Sequence, residues 1–220
     1  MQKTIKVIAL GASFVGKTSI LNCIRKGKFD ENVHATVSNE LFILERNYKA
    51  KNMKFILSFC DTAGQERFPD SLTKQFIRNS HIVLLVFENP DTLRELKDRW
   101  YKFYKDNTNM NNTKYILVGN KSDTFGNERE NIIRLGDEFS EEINAHFITC
   151  SAKNLDNIDN LERYIITEAK RFIDEELKNN GNKLEVNNPN NKVIVLKKEE
   201  NKENSYFKNC INKIFNSFTS

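Results

Sequence analysis

The sequence predicts an α/β fold: a mainly parallel sheet with helices on its faces. Three observations carry that prediction. Short apolar, β-branched runs alternate with stretches of helical periodicity through most of the chain, and that alternation is the pattern of parallel sheets. Several of the strand runs are apolar without interruption, as in Ile82-Val83-Leu84-Leu85-Val86-Phe87, which suits strands covered on both faces. The residues with chemistry to offer gather after strand ends, following Leu10, Cys60, Val118 and Cys150, and open α/β sheets bind ligands at that edge.

Taken in order, strands are expected at Thr4–Leu10, Leu41–Leu44, Met53–Phe59, His81–Phe87, Tyr115–Val118 and His146–Cys150. Helices are expected at Lys17–Lys26, Phe68–Asn79, Asp91–Lys105, Asn131–Ile143 and Leu155–Leu177. Trp100, with Tyr101, Phe103 and Tyr104, lies on a helix that packs against the sheet, while Lys97, Asp98 and Arg99 form its solvated face. Near Lys178 the composition turns to Asn, Lys and Glu with Gly181 and Pro189 as breakers. This divides the chain into a domain over 1–178 and a tail over 179–220 with little core-forming capacity. Within the tail, Phe207, Cys210, Ile211, Ile214, Phe215 and Phe218 recur at helical spacing as one apolar stripe, with Ser205 as an N-cap.

Composition sets bounds. The 220 residues suffice for one full core and a tail, and the formal net charge of +4, with acids and bases interspersed, does not argue for nucleic acid. Cys23, Cys60, Cys150 and Cys210 lie far apart without metal-type spacing, as buried reduced thiols of a cytoplasmic protein would. No signal peptide is read at the start, and no run is long enough to span a bilayer. Gln2 excludes N-myristoylation, and Cys210 lies too far from the end for prenylation. His34, His81 and His146 do not cluster in the sequence, and His81 and His146, which begin strands, are read as structural.

The chemistry begins at Gly11-Ala12-Ser13-Phe14-Val15-Gly16-Lys17-Thr18-Ser19, between a strand and a helix. Phosphate oxygens only accept, so such a loop must offer donors: backbone N–H groups and the positive end of the following helix. Gly11 and Gly16 permit close approach, Lys17 reaches the outer phosphates, and the Thr18 hydroxyl can ligand Mg²⁺. A chain of this length matches the pattern by chance about once in a hundred, leaving the rest of the chain to decide. Asp61-Thr62-Ala63-Gly64-Gln65-Glu66 follows another strand: Asp61 can hold Mg²⁺, the Gly64 N–H can approach a terminal phosphate, and Gln65 can orient a water. Alone it reads as a turn. Gly119-Asn120-Lys121-Ser122-Asp123 follows a third strand. Asp123 can accept from N1–H and N2–H₂ of guanine, a donor pair adenine lacks, and the Lys121 stem can cover the base. In isolation that stretch is a loop with a capping Asp. Ser151-Ala152-Lys153 can present backbone to the guanine O6.

These four stretches resemble, in order and spacing, the guanine-nucleotide loops of Ras-like small GTPases, and Asp61–Phe68 resembles the Rab branch in particular. The resemblance covers about Lys3 to Leu177. It implies a P-loop NTPase, small G-protein domain with a six-stranded, mainly parallel sheet flanked by five helices. It also implies GTP or GDP bound with Mg²⁺, slow hydrolysis, and two switch segments. Thr36 matches the first-switch threonine that ligands Mg²⁺, and the second switch would run from about Ala63 to Asn79. Phe29 matches the aromatic residue packed on guanine, although a helix-end core Phe explains it equally. Catalysis would fall to Gln65 and Lys17, with Thr18, Thr36 and Asp61 at the metal. An exchange factor, an activating protein and effectors are the implied partners of a monomer acting in vesicle traffic.

The sequence also departs from the Rab pattern. Phe14 replaces a small residue, and Leu41, Cys60 and Gln75 stand where Rabs carry effector-facing aromatics. Without a prenylation signal, the stripe over 207–218 would either lie on an endomembrane surface or dock on protein. Phe14 keeps open a second reading, a nucleotide-locked module with little hydrolysis. A generic P-loop kinase or ATPase is a third, and Asp123 speaks against it.

Overall fold

The computed structural model describes residues 3–31, 40–61, 74, 77–108 and 112–182. Strands β1 (Lys3–Leu10), β2 (Glu40–Tyr48), β3 (Met53–Asp61), β4 (Ile82–Phe87), β5 (Lys114–Gly119) and β6 (His146–Thr149) form one sheet in the order β2-β3-β1-β4-β5-β6. Every pairing is parallel except that of β2 with β3. The expected mainly parallel α/β sheet is therefore present. Among the described residues, the helices with both ends described are α1 (Lys17–Lys26), α2 (Pro90–Glu95), α3 (Lys102–Asn107), α4 (Arg129–Glu142) and α5 (Ile158–Asn182). The compact body of the fold spans Met1–Asn180.

Alternation along the central strands sorts the core into two layers. Val7, Ala9, Ile82, Leu84, Val86, Ile116 and Val118 join Ile20, Leu21 and Ile24 of α1 and Leu161, Ile165, Ala169 and Ile173 of α5. The intervening residues Ile8, Leu10, Val83, Leu85, Phe87 and Leu117 join Leu93, Leu96, Trp100 and Tyr104, and Ile132 and Phe139 of α4. Trp100 packs as expected, and Cys23, Cys60 and Cys150 are buried free thiols.

Several boundaries differ from the sequence expectation. The second strand runs four residues further, through the antiparallel ladder that pairs Tyr48 with Met53. The third continues to Asp61, whose pairing with Ala9 fixes the carboxylate on the sheet edge instead of in a loop. Ile82, not His81, opens β4. The helix expected at Asp91–Lys105 is broken into α2, a π-helical turn at Leu96–Tyr101, and α3. At its start Asn89 accepts from the Thr92 N–H (2.9 Å), the Thr92 hydroxyl accepts from the Asn89 N–H (3.0 Å), and Pro90 follows the cap. The last helix begins at Ile158, not Leu155, because Leu155 and Asn157 are left-handed (φ 63° and 58°). It passes Lys178 and ends at Asn182. The helix expected at Phe68–Asn79 and the stripe at 207–218 lie largely or wholly outside the described residues.

One close approach sets the spacing of α4 over the sheet edge. A Cβ on Gly136 would stand 2.3 Å from Cζ of Phe147, whose ring stacks on Phe87 at 6.0 Å. Alanine at a helix position ordinarily gains about 1 kcal/mol over glycine. Overpacking against an anchored ring costs about 1–3 kcal/mol. Gly136→Ala is therefore expected to lower stability, by about 1 kcal/mol net in urea unfolding. A stability gain would mean that the ring yields freely.

Candidate functional site

Register brings the strand ends to one edge: Asp61 pairs with Ala9, Phe87 with Gly119, and Gly119 with Thr149. The loop after β1 crosses this edge under tight steric limits. Gly11 has φ 152°, and a Cβ there would lie 2.2 Å from the Val86 carbonyl oxygen. Gly16 has φ 89°, and a Cβ there would lie 2.2 Å from Asn120 Nδ2. Only glycine meets both the backbone angle and the contact. Gly16 caps α1 without a side-chain hydrogen bond, and the first turn carries no acidic residue. The positive end of the helix therefore faces the loop without a carboxylate from its own first turn.

Lys17 is buried, and its ammonium donates to the carbonyls of Gly11 (2.9 Å) and Ala12 (2.7 Å). Burial pushes its pKa down to about 8, with Asp61 and Glu95 pulling the other way. The Thr18 hydroxyl donates to Asp61 Oδ2 at 2.6 Å. Threonine hydroxyl and carboxylate are hard oxygen donors, so this pair fits a Mg²⁺ site. Ser13, Thr18 and Ser19 are half-buried, and Val15 is in the core. Phe14 is left-handed (φ 65°), and its ring is turned out to solvent, 75% exposed. That answers the steric question the residue raises: the backbone accepts the strained angle, and the ring avoids the loop.

The other half of the site is tied together by Asn120, which is fully buried. Its Nδ2 donates to the Val15 carbonyl (2.8 Å), and its Oδ1 accepts from the Ala152 N–H (3.2 Å) and the Cys150 thiol (3.6 Å). Asp123 Oδ1 accepts from the Ser151 hydroxyl (2.5 Å), and that hydroxyl in turn accepts from the Asn154 N–H (3.1 Å). Asp123 and Lys153 are exposed, whereas Ser151 and Ala152 are buried. The Cys23 thiol donates to the Ala152 carbonyl at 3.4 Å. Burial raises both thiols, Cys150 to about 12, so they pack and donate and do not act as nucleophiles. Lys121 is left-handed (φ 59°) and forms an ion pair with Glu88.

Ser13, Phe14, Val15, Gly16, Lys17, Thr18, Ser19, Asp61, Asn120, Lys121, Asp123, Ser151, Ala152 and Lys153 thus lie on turns, the end of β3 and the start of α1 along one sheet edge. Phe29 is half-buried against the core layer of α1 and α5, the place that a helix-end core residue would take. Thr36, Gly64 and Gln65 lie outside the described residues, as does Gln75. Cys60 is buried beside Leu41 in the second core layer, so it is not a surface position. Sequence reasoning missed Glu88, Asn89 and Thr92, which follow β4, and the joining role of Asn120.

The model of the Ras family matches residues 6–171. Ras-related protein RabC of Dictyostelium discoideum is 33% identical over 150 residues, 67% of this chain and 74% of its own length. Ras-related protein SEC4 of Saccharomyces cerevisiae is 32% identical over 158 residues, 71% of this chain and 70% of its own. Ras-related protein Rab11E of Lotus japonicus is 29% identical over 174 residues, with 76% and 75% covered. A glycine turn over a buried lysine after β1, tied by an asparagine to the turns after β5 and β6, stands beside these matches: the chain belongs to the Ras family of small GTPases, in its Rab branch.

Proposed function

We propose that the protein is a guanine-nucleotide switch that binds GTP and GDP with Mg²⁺, hydrolyses GTP slowly and acts in vesicle traffic. The observation that carries this is the buried Asn120, which joins the phosphate loop at Val15 to the base loop at Ala152. Lys17 and the loop amides bind the phosphates. Thr18 and Asp61 hold Mg²⁺, with Thr36 as the further ligand. That ion neutralises charge between the outer phosphates when bound. Asp123 accepts from guanine, Lys121 covers its plane, Phe29 lies at its edge, and the Ser151–Lys153 backbone meets O6. The Gly64 N–H senses the γ-phosphate, and Gln65 orients the attacking water. The phosphate loop carries no arginine, so intrinsic turnover is slow and an activating protein supplies the missing charge.

The chain acts as a monomer read by effectors and reset by an exchange factor. No helix among the described residues is long and apolar enough to cross a membrane. The stripe over 207–218 offers an apolar face either for peripheral contact with endomembranes or for docking on protein. A second reading, a nucleotide-locked module, is favoured by one observation: the Phe14 ring stands exposed at the mouth of the phosphate loop.

Three outcomes are expected. Calorimetry should give tight binding of GDP and none of ADP, and Asp123→Asn should move preference to xanthine nucleotides, because the amide offers a donor where the carboxylate accepted. Unchanged preference would refute the base assignment. In single-turnover phosphate release, Gln65→Leu should slow the wild-type rate about tenfold or more. Equal rates would favour the locked module. The third concerns pH. Phosphate favours the charged form of Lys17, so its pKa rises from about 8 when nucleotide binds. Binding should therefore take up protons at pH 8.5 and take up almost none through this lysine at pH 6.5. Titration in buffers of different ionisation enthalpy reads this directly, and Lys17→Met should abolish the difference.

A further inference from the structure

We propose that Glu88 is a positioning residue of the base site: its carboxylate holds the Lys121 ammonium so that the lysine stem stays across the plane of the base. The inference rests on the guanine site described above.

Several constraints converge on this pair. Lys121 sits at φ 59°, ψ 38°, a left-handed conformation that non-glycine residues adopt at a cost. Its long stem has many rotamers, and covering a flat base requires one direction among them. Glu88 supplies the second anchor point, forming the ion pair with side chains 21% (Glu88) and 40% (Lys121) exposed. Glu88 is itself fixed through its backbone. Its N–H donates to the Thr92 hydroxyl (3.0 Å), and Asn89 next to it caps α2. The pairing of Phe87 with Gly119, and the Asn120 N–H donating to the Phe87 carbonyl (2.8 Å), set residues 88 and 121 side by side. The cap uses main-chain atoms and the Asn89 and Thr92 side chains, not the Glu88 carboxylate. Changing the carboxylate therefore leaves the helix start intact.

A half-exposed ion pair has a modest effect, so the expected change is small but measurable. In full-length protein loaded with a fluorescent GDP analogue, Glu88→Gln should release nucleotide about threefold faster. In a Lys121→Met background, which keeps the apolar stem and removes its charge, Glu88→Gln should make no difference. Glu88→Asp, shorter by one methylene, should fall between wild type and Glu88→Gln. Three results would overturn the proposal. One is unchanged release in Glu88→Gln. Another is release slowed by Glu88→Gln, which would mean that the carboxylate competes for the ammonium. The last is the same acceleration in both backgrounds, which would place the effect on helix stability or on the phosphates. Wild-type protein that fails to retain any guanine nucleotide would instead refute the function proposed above, so the two failures are separable.

Discussion

One buried side chain holds the site together. Asn120 is 1% exposed, and both ends of its amide are engaged: Nδ2 to the Val15 carbonyl, Oδ1 from the Ala152 N–H and the Cys150 thiol. Burying an amide without partners costs a few kcal/mol, so the contacts are obligatory once the group is inside. Those partners come from turns after β1 and after β6, and the asparagine from the turn after β5. The amide therefore spans three chain crossings at the sheet edge. It also dictates the residue it packs against, because a Cβ at position 16 would lie 2.2 Å from Nδ2. The glycine that shapes the phosphate loop is thus required from two directions: by its own left-handed angle and by the joint beneath it.

The same edge manages a charge that the interior disfavours. Lys17 is taken out of water, and its ammonium is met by the Gly11 and Ala12 carbonyls, which are dipoles and not counter-ions. Carbonyls hold the ammonium in place without neutralising it, and desolvation prevails over the pull of Asp61 and Glu95. An ammonium has three donors, and two are placed on the loop. On the proposed function, a phosphate arriving at the end of α1 would meet a cation already oriented, in a setting of low dielectric where that charge counts for more than in water. Binding strength would on that reading come from preorganisation by burial, at the cost of a lowered proton affinity of Lys17.

Much of this was legible in the sequence. The glycine–lysine–threonine run, the strand-end carboxylate Asp61 and the Asn120–Asp123 and Ser151–Lys153 turns could be placed at one sheet edge from residue type and chain order, and they lie there. The uninterrupted apolar run Ile82–Phe87 announced a strand covered on both faces, and core layers lie on both. Other features depend on distance between parts remote in sequence. Asn120 reads as a base-loop residue, and nothing local reveals that its amide reaches Val15. Phe29 reads equally as a base contact or as core, and its packing against the first layer is a tertiary fact. The π-helical turn at Leu96–Tyr101 leaves no periodic signal, since Leu93, Leu96, Trp100 and Tyr104 fit an ordinary apolar stripe. The late start of α5 follows from left-handed angles at Leu155 and Asn157, which residue type does not announce for leucine.

Glu88 shows where a motif-led reading stops short. Four strand ends drew attention because the residues after them carry recognisable chemistry. The carboxyl end of β4 lies between them in the sheet, flanked by β1 and β5, and so is as close to the ligand edge as any. Its first residue is a glutamate followed by Asn-Pro, which reads as a helix start and nothing more. Sheet order and direction put it on that edge: a strand parallel to both its neighbours ends where they end. The acidic side chain there faces a loop lysine because Phe87 and Gly119 are in register. In a parallel sheet, the search for functional residues is therefore better run across strand order than along the chain. The residue after each central strand is a neighbour of its counterparts whatever its sequence context.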